Sequence, residues 1–177
     1  MTGLAYLIPQ LWTKLERGKM MKKAMMALLL VWLVLPVAVH AGPPVDVAGD
    51  FVYIPAAVGL RQAGDNLFMD GTDTATWTGA FEGTSTEEYV LILHGCTGVF
   101  GTPDFAFEEG FYKGTVTFTG EVEGRAGTLE ILMVGKSPGD LGDWTGTWRI
   151  LSGTGDLANL HGSGVLTNNA PMDVHYE

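Results

Sequence analysis

Phe111 to Gly164, FYKGTVTFTGEVEGRAGTLEILMVGKSPGDLGDWTGTWRILSGTGDLANLHGSG, decides the fold class. In Thr115–Glu121, Thr115, Thr117 and Thr119 alternate with Val116 and Phe118. A period of two with β-branched residues predicts a strand with one wet and one dry face. Glu123–Gly127 reads as a turn, and Leu129, Ile131 and Met133 alternate next, so Thr115–Glu121 and Thr128–Val134 are expected to form an antiparallel hairpin. Lys136–Asp143 has loop composition. Trp144–Leu151 is a third strand, with Trp144, Trp148 and Ile150 on one face. Gly153-Thr154-Gly155-Asp156-Leu157-Ala158 has the glycine spacing of a dinucleotide site, but the chain ends at Glu177 and leaves no room for the helix and further strand that such a site needs. A tight loop with one helical turn, capped by Asp156, is the expectation there.

The rest of the chain repeats this grammar. Phe51–Pro55 is a first strand, placed at an edge by Pro55. Gly59–Asn66 is a turn. Leu67–Glu82 is one long strand, interrupted by a bulge or turn at Asp70–Asp73; beyond it Ala75, Trp77, Gly79 and Phe81 alternate with Thr74, Thr76, Thr78 and Ala80. Gly83–Thr86 is a turn. In Glu87–His94 both faces are apolar, Tyr89, Leu91 and Leu93 against Val90, Ile92 and His94, so a loop, the C-terminal tail or a second subunit is expected to cover the outside. A homo-oligomer through residues 87–94 follows from that expectation. Gly95–Gly110, with Phe100, Phe105 and Phe107, suggests a lid or plug. Val165–Thr167 and Met172–Tyr176 are the last strands, turning at Asn168-Asn169. Gly-Thr occurs seven times at irregular spacing, glycine permitting a turn and threonine starting the next pleat. About six to eight short antiparallel strands argue an all-β barrel or sandwich; closure into a small barrel would also protect the edges and is the expectation.

The runs FTGEVEGRAGTLEI and WTGTWRILSGTGDLANLHGSG, with WTGAFEG at Trp77–Gly83, resemble a bacterial family of unknown function with an allene oxide cyclase-like barrel. The resemblance spans most of residues 47–166. It implies a small antiparallel β-barrel and no activity, and no catalytic residue of the plant cyclase has a counterpart motif here.

The N-terminal part differs. Lys22 and Lys23 precede an apolar run, Ala24–Val39, that is short for a span of about 20 residues, and Val39-His40-Ala41 has the small residues of a cleavage site. Residues 20–41 read as a signal-peptide helix cleaved after Ala41, with an uncleaved anchor as the alternative, and residues 1–19 as a misassigned upstream start, with a genuine long basic leader to the signal as the alternative. Residues 42–177 form one domain, exported to the periplasm or the medium and free of the membrane after cleavage. They hold nineteen acidic and five basic residues, a surface that repels nucleic acid and anionic membranes. The only cysteine, Cys96, allows no internal disulfide; it reads as buried and inert, as an intermolecular bridge or as a reactive thiol.

Strand parity places Phe51, Tyr53, Trp77, Phe81, Val116, Phe118, Leu129, Ile131, Met133, Trp144, Trp148 and Ile150 inside. A barrel of about eight strands is either filled by side chains or holds one small ligand. Tyr53, Trp77, Phe81, Phe118, Met133, Trp144 and Trp148 are the candidates to line such a lumen. His94, Cys96 and His161 have zinc-ligand chemistry without a zinc spacing, and Asp70/Asp73 and Asp140/Asp143 match no calcium loop, so no metal or cofactor is expected. Glu82, Glu87, Glu88, Glu121, Glu123 and Glu130 are available for acid–base work; one facing the apolar lumen would have a raised pKa, but Glu82 and Glu130 point away and nothing in the spacing singles out another. No G-x-S-x-G, H-E-x-x-H or P-loop occurs. The favoured function is a non-enzymatic module holding a small apolar ligand; the alternatives are a cyclase or isomerase acting on a flexible apolar substrate in the lumen, and a structural or partner-binding protein with a filled core.

Overall fold

The computed structural model describes residues 44–177 other than Leu141. The proposed upstream start and signal segment lie outside the described residues. Eight antiparallel strands close into a barrel in chain order, each pairing with the next and the last with the first. They are β1 (Gly49–Ala63), β2 (Asn66–Gly79), β3 (Phe81–His94), β4 (Glu109–Val122), β5 (Arg125–Ser137), β6 (Thr145–Gly153), β7 (Ser163–Ala170) and β8 (Asp173–Tyr176). Among the described residues no helix is long and apolar enough to cross a membrane.

The expected β4–β5 hairpin forms, with Val116 opposite Ile131 and Phe118 opposite Leu129. Its turn is tighter than the composition suggests: Glu123 and Gly124 alone make it, both at positive φ. Two such residues match the right-handed twist of the flanking strands. Several strands run further than their composition indicates. β1 does not stop at Pro55 or turn at Gly59; a bulge between Pro55 and Ala57 absorbs the irregularity and pairing continues to Ala63 opposite Asn66. β2 passes through Asp70–Asp73 without interruption, because Asp73 pairs with Glu87 in unbroken register. Gly83–Thr86 is not a turn but the first part of β3; the chain reverses at Ala80. Asn168 and Asn169 lie within β7, and the turn falls at Pro171-Met172. Asp70–Asp73 and Gly83–Thr86 sit inside strands because paired neighbours on both sides hold the backbone, and Gly59 and Asn168 because one paired neighbour does, which local turn chemistry does not register.

Inward positions alternate strictly along β2, where Leu67, Met69, Gly71, Asp73, Ala75 and Trp77 are buried. At one end of the barrel they meet an aromatic cluster. Phe51 stacks on Trp77 at 4.4 Å, and Phe81 meets Phe118, Tyr176 and Trp148 edge-on at 5.6, 5.1 and 5.8 Å. Edge-to-face contacts of this kind add to plain area burial. The polar tips are satisfied: Trp77 Nε1 donates to Ser85 Oγ at 2.9 Å, and the Tyr176 hydroxyl accepts the Phe81 N–H at 2.8 Å while donating to the Thr78 carbonyl at 3.1 Å. The Gly153–Leu157 motif supplies the stopper for this end. Its helical part is one 3-10 turn, Gly155–Leu157, and Leu157 is completely buried. Thr154, not Asp156, occupies the cap position, and no side chain caps the turn.

The other end is closed differently. Phe105 and Phe107 of the loop 95–108 pack against Leu67, Met69 and Leu93 as a second, smaller cluster. The loop is braced by the Thr97–Ala106 bridge. Cys96 is half-buried beside this cluster, and its thiol donates to the Leu93 carbonyl at 3.4 Å. On the outside of β3, Ile92 lies between Phe68 of β2 and Phe111 of β4, so adjacent strands supply part of the cover that its two-faced pattern called for. Arg61 stacks over Phe68 at 4.1 Å.

Candidate functional site

Between the two clusters the barrel is not filled. β8 pairs with β1 only over Gly49–Val52. The Tyr53 N–H still donates to the Met172 carbonyl at 3.0 Å, and beyond it β1 continues without β8 as a partner. A cavity of about 390 Å³ lies there, within the range of small-molecule sites. Exposed Pro55, Asp140, Pro171 and Met172 border it at the rim. Phe51, Met69, Leu91 and Trp144 give it apolar walls. Three phenols border it too: Tyr53 from β1, Tyr89 from β3 and Tyr112 from β4. Tyr89, Tyr112 and Trp144 form an aromatic ladder along one wall, with ring centroids 5.8 and 5.7 Å apart.

Two carboxyls stand where this cavity meets the aromatic core. Asp73 and Glu87 are direct cross-strand partners on the inner faces of β2 and β3, one step above Ala75 and Ser85. Each is only 6% exposed. The two carboxyls lie within side-chain hydrogen-bonding reach of each other, and the Tyr112 hydroxyl donates to Glu87 Oε1. Asp73 Oδ1 is buried with no hydrogen-bond partner. Gly114 on β4 creates the room for this arrangement: any side chain there would collide with Glu87 Oε1 and the Tyr112 hydroxyl. Gly71 does the same for Tyr89, whose ring covers it. These two glycines are not turn residues but inner-face vacancies that accept a neighbour's side chain.

The electrostatics follow from burial. Desolvation, reinforced by the Asp73 charge, pushes Glu87 up to about 9. Desolvation likewise raises Asp73, to about 6, against the lowering effect of its bond with Glu87. Near neutrality the pair therefore holds one proton, mostly on Glu87, because two adjacent buried carboxyls do not both ionise. Tyr53 and Tyr89 are raised as well, first by desolvation and then by the two carboxyls, and remain neutral donors. No cation balances the pair: the one ion pair among the described residues, His175–Asp50, lies elsewhere. Chemically the site offers an acid, an adjacent base and neutral hydroxyls in an otherwise apolar chamber.

Of the seven lumen candidates, Tyr53 and Trp144 border the cavity. Trp77, Phe81, Phe118, Met133 and Trp148 are packed in the aromatic core. His94 is bonded to Asn66 at 2.7 Å and packs on Phe111, while His161 is exposed. Among the described residues no three His, Cys, Asp or Glu side chains converge as a metal site. Parity held the signal for Glu87, which falls in phase with Tyr89, Leu91 and Leu93, and for Asp73, in phase with Ala75 and Trp77. For Asp73 it is hidden where Asp70–Asp73 reads as an interruption, and for Glu87 because both faces of Glu87–His94 are apolar and parity alone does not say which is inner.

A family model described as "Protein of unknown function (DUF3224)" matches residues 65–177, which carry both carboxyls and every strand from β3 onward. The chain belongs to the DUF3224 family. No curated protein matches it. A crystal structure of a DUF3224 protein of unknown function from Shewanella oneidensis MR-1 superimposes with a TM-score of 0.53 at 18% identity, covering 73% of this chain and 92% of that one. At that identity the DUF3224 likeness shows the fold alone.

Proposed function

We propose that the barrel binds a small, mostly apolar molecule carrying one hydrogen-bond acceptor. The observation behind this is the 390 Å³ cavity, with aromatic and aliphatic walls and a buried, protonated carboxyl at its inner end. Apolar walls supply affinity through area removed from water, and a few placed polar groups set orientation. Glu87, Tyr53 and Tyr89 are such groups, and all are donors at neutral pH. A barrel serving only as a structural body has no use for an open half lined by three phenols. Export fits the same reading: the apolar run Ala24–Val39 and the acidic remainder suit a protein released after Ala41.

Native mass spectrometry of the protein from its own host's exported fraction tests both statements. A chain beginning at Gly42 with a bound small molecule is the expected result. A ligand-free chain that also fails to bind a small cyclic ketone in titration would favour the structural reading, and an N-terminus upstream of residue 20 would remove the export reading.

A further inference from the structure

We propose that Asp73 and Glu87 work as a general base and a general acid that shift a proton along an enolisable carbonyl compound bound in the cavity, making the barrel an isomerase. This rests on the lumenal binding reading above and adds chemistry to it. The geometry carries it. The two carboxyls are nearest cross-strand neighbours with inward-facing side chains. One is held by a phenol, Tyr112, and the other has a buried oxygen, Oδ1, that nothing in the protein satisfies. Both border a chamber large enough for a reactant. An uncompensated buried carboxyl pair costs a fold stability, and Gly114 leaves a gap in the wall to admit it. Such an arrangement is expected where a proton must be both given and taken.

The step balances within the substrate. The Asp73 carboxylate removes a hydrogen from the carbon next to the carbonyl, and the C–H electron pair moves to form a C=C bond. The carbonyl oxygen takes the proton of Glu87 and becomes an enol. Where the substrate carries a β,γ double bond the enol is a dienol; Asp73 returns its proton to the γ-carbon, the C=C pair shifts into conjugation, and the oxygen's proton goes back to Glu87, which yields the conjugated isomer and restores both carboxyls. No oxidant, reductant or second substrate enters. Tyr53 from β1 and Tyr89 from β3 face the same chamber and stay neutral, Tyr112 from β4 faces it too, and Lys136 and Asp140 border it near the rim. With Asp73 ionised and Glu87 protonated as the working form, the rate rises through about pH 6 and falls through about pH 9.

The test uses the mature barrel and a β,γ-unsaturated cyclohexenone in deuterated buffer. NMR follows ketone binding, loss of the hydrogens next to the carbonyl, and growth of the conjugated isomer. Wild type is expected to bind the ketone and to exchange it faster than buffer, with the bell-shaped pH profile. Asp73→Asn and Glu87→Gln are expected to bind it still but to lose roughly 100-fold in exchange. Glu88→Gln, on the outer face, is expected to behave as wild type. Glu87→Gln keeps an acceptor for Tyr112, so it carries the test even if the Asp73 variant folds poorly. Binding without exchange above buffer, or exchange unchanged in Glu87→Gln, overturns the catalytic inference and leaves the binding reading standing. No binding to wild type overturns both.

Discussion

Glu87 is the residue whose sequence context says least and whose surroundings do most. In the chain it follows another turn-like Gly-Thr-Ser-Thr run and precedes a second glutamate. In the barrel it is buried beside Asp73 and stays protonated to about pH 9. That shift has a sign for stability. An unfolded Glu87 ionises near 4.5, whereas the folded one does not until about 9. Between those values the native state binds more protons, so stability falls as pH rises. Glu87→Gln removes that slope: the variant should melt higher than wild type at pH 8 to 9 and about equally near pH 4.5, as thermal unfolding followed by circular dichroism will show. Asp73, raised over a lower window, keeps its own smaller slope between 3.8 and about 6. A Gly114→Ala exchange is predicted to displace the Glu87 carboxyl, since the new methyl would occupy its place. The expected outcome is loss of ketone binding together with a melting curve that no longer depends on pH between 6 and 9.

At the scale of the elements, the turns rather than the strands were hard to read. Thr115–Glu121 and Thr128–Val134 were legible because β-branched residues alternate with large apolar ones, and that periodicity survives any context. Gly83 and Asp70–Asp73 were not, because a glycine or aspartate inside a strand is stabilised only by partners distant in sequence. β8 is the extreme case: four residues, yet Tyr176 carries the closure. Its hydroxyl serves the turn between β2 and β3 through the Phe81 N–H and the Thr78 carbonyl. Tyr176→Phe strands the buried Phe81 N–H and is predicted to cost about 1–3 kcal/mol in denaturant titration. Phe118→Ala opens a cavity in the aromatic cluster, with an expected loss of about 3–5 kcal/mol by the same measurement.

At the scale of the barrel, the interior divides into a packed half and a half that holds the cavity. Large aromatics fill the first. In the second, inner-face Gly71 and Gly114 admit the Tyr89 ring and the Glu87 carboxyl to the wall, and the β1–β8 pairing is short. Deletion of residues 173–177 would remove closure from both halves at once. It is predicted to abolish the near-ultraviolet circular dichroism of the aromatic cluster, not merely to lower the melting point, because β1 and β7 then become edges. Alternation of threonine with apolar residues, punctuated by glycine, by itself determined an all-β antiparallel body and the twelve inner positions from Phe51 to Ile150, since which face a strand buries depends on a local period of two; closure into a barrel came from the pairing of β8 with β1. Only the tertiary structure decided that Tyr53 and Trp144 border a cavity while Trp77, Phe81, Phe118, Met133 and Trp148 do not, and that Asp73 meets Glu87. Those facts depend on register between strands and on where closure stops, and both are set by the packing of distant residues against one another.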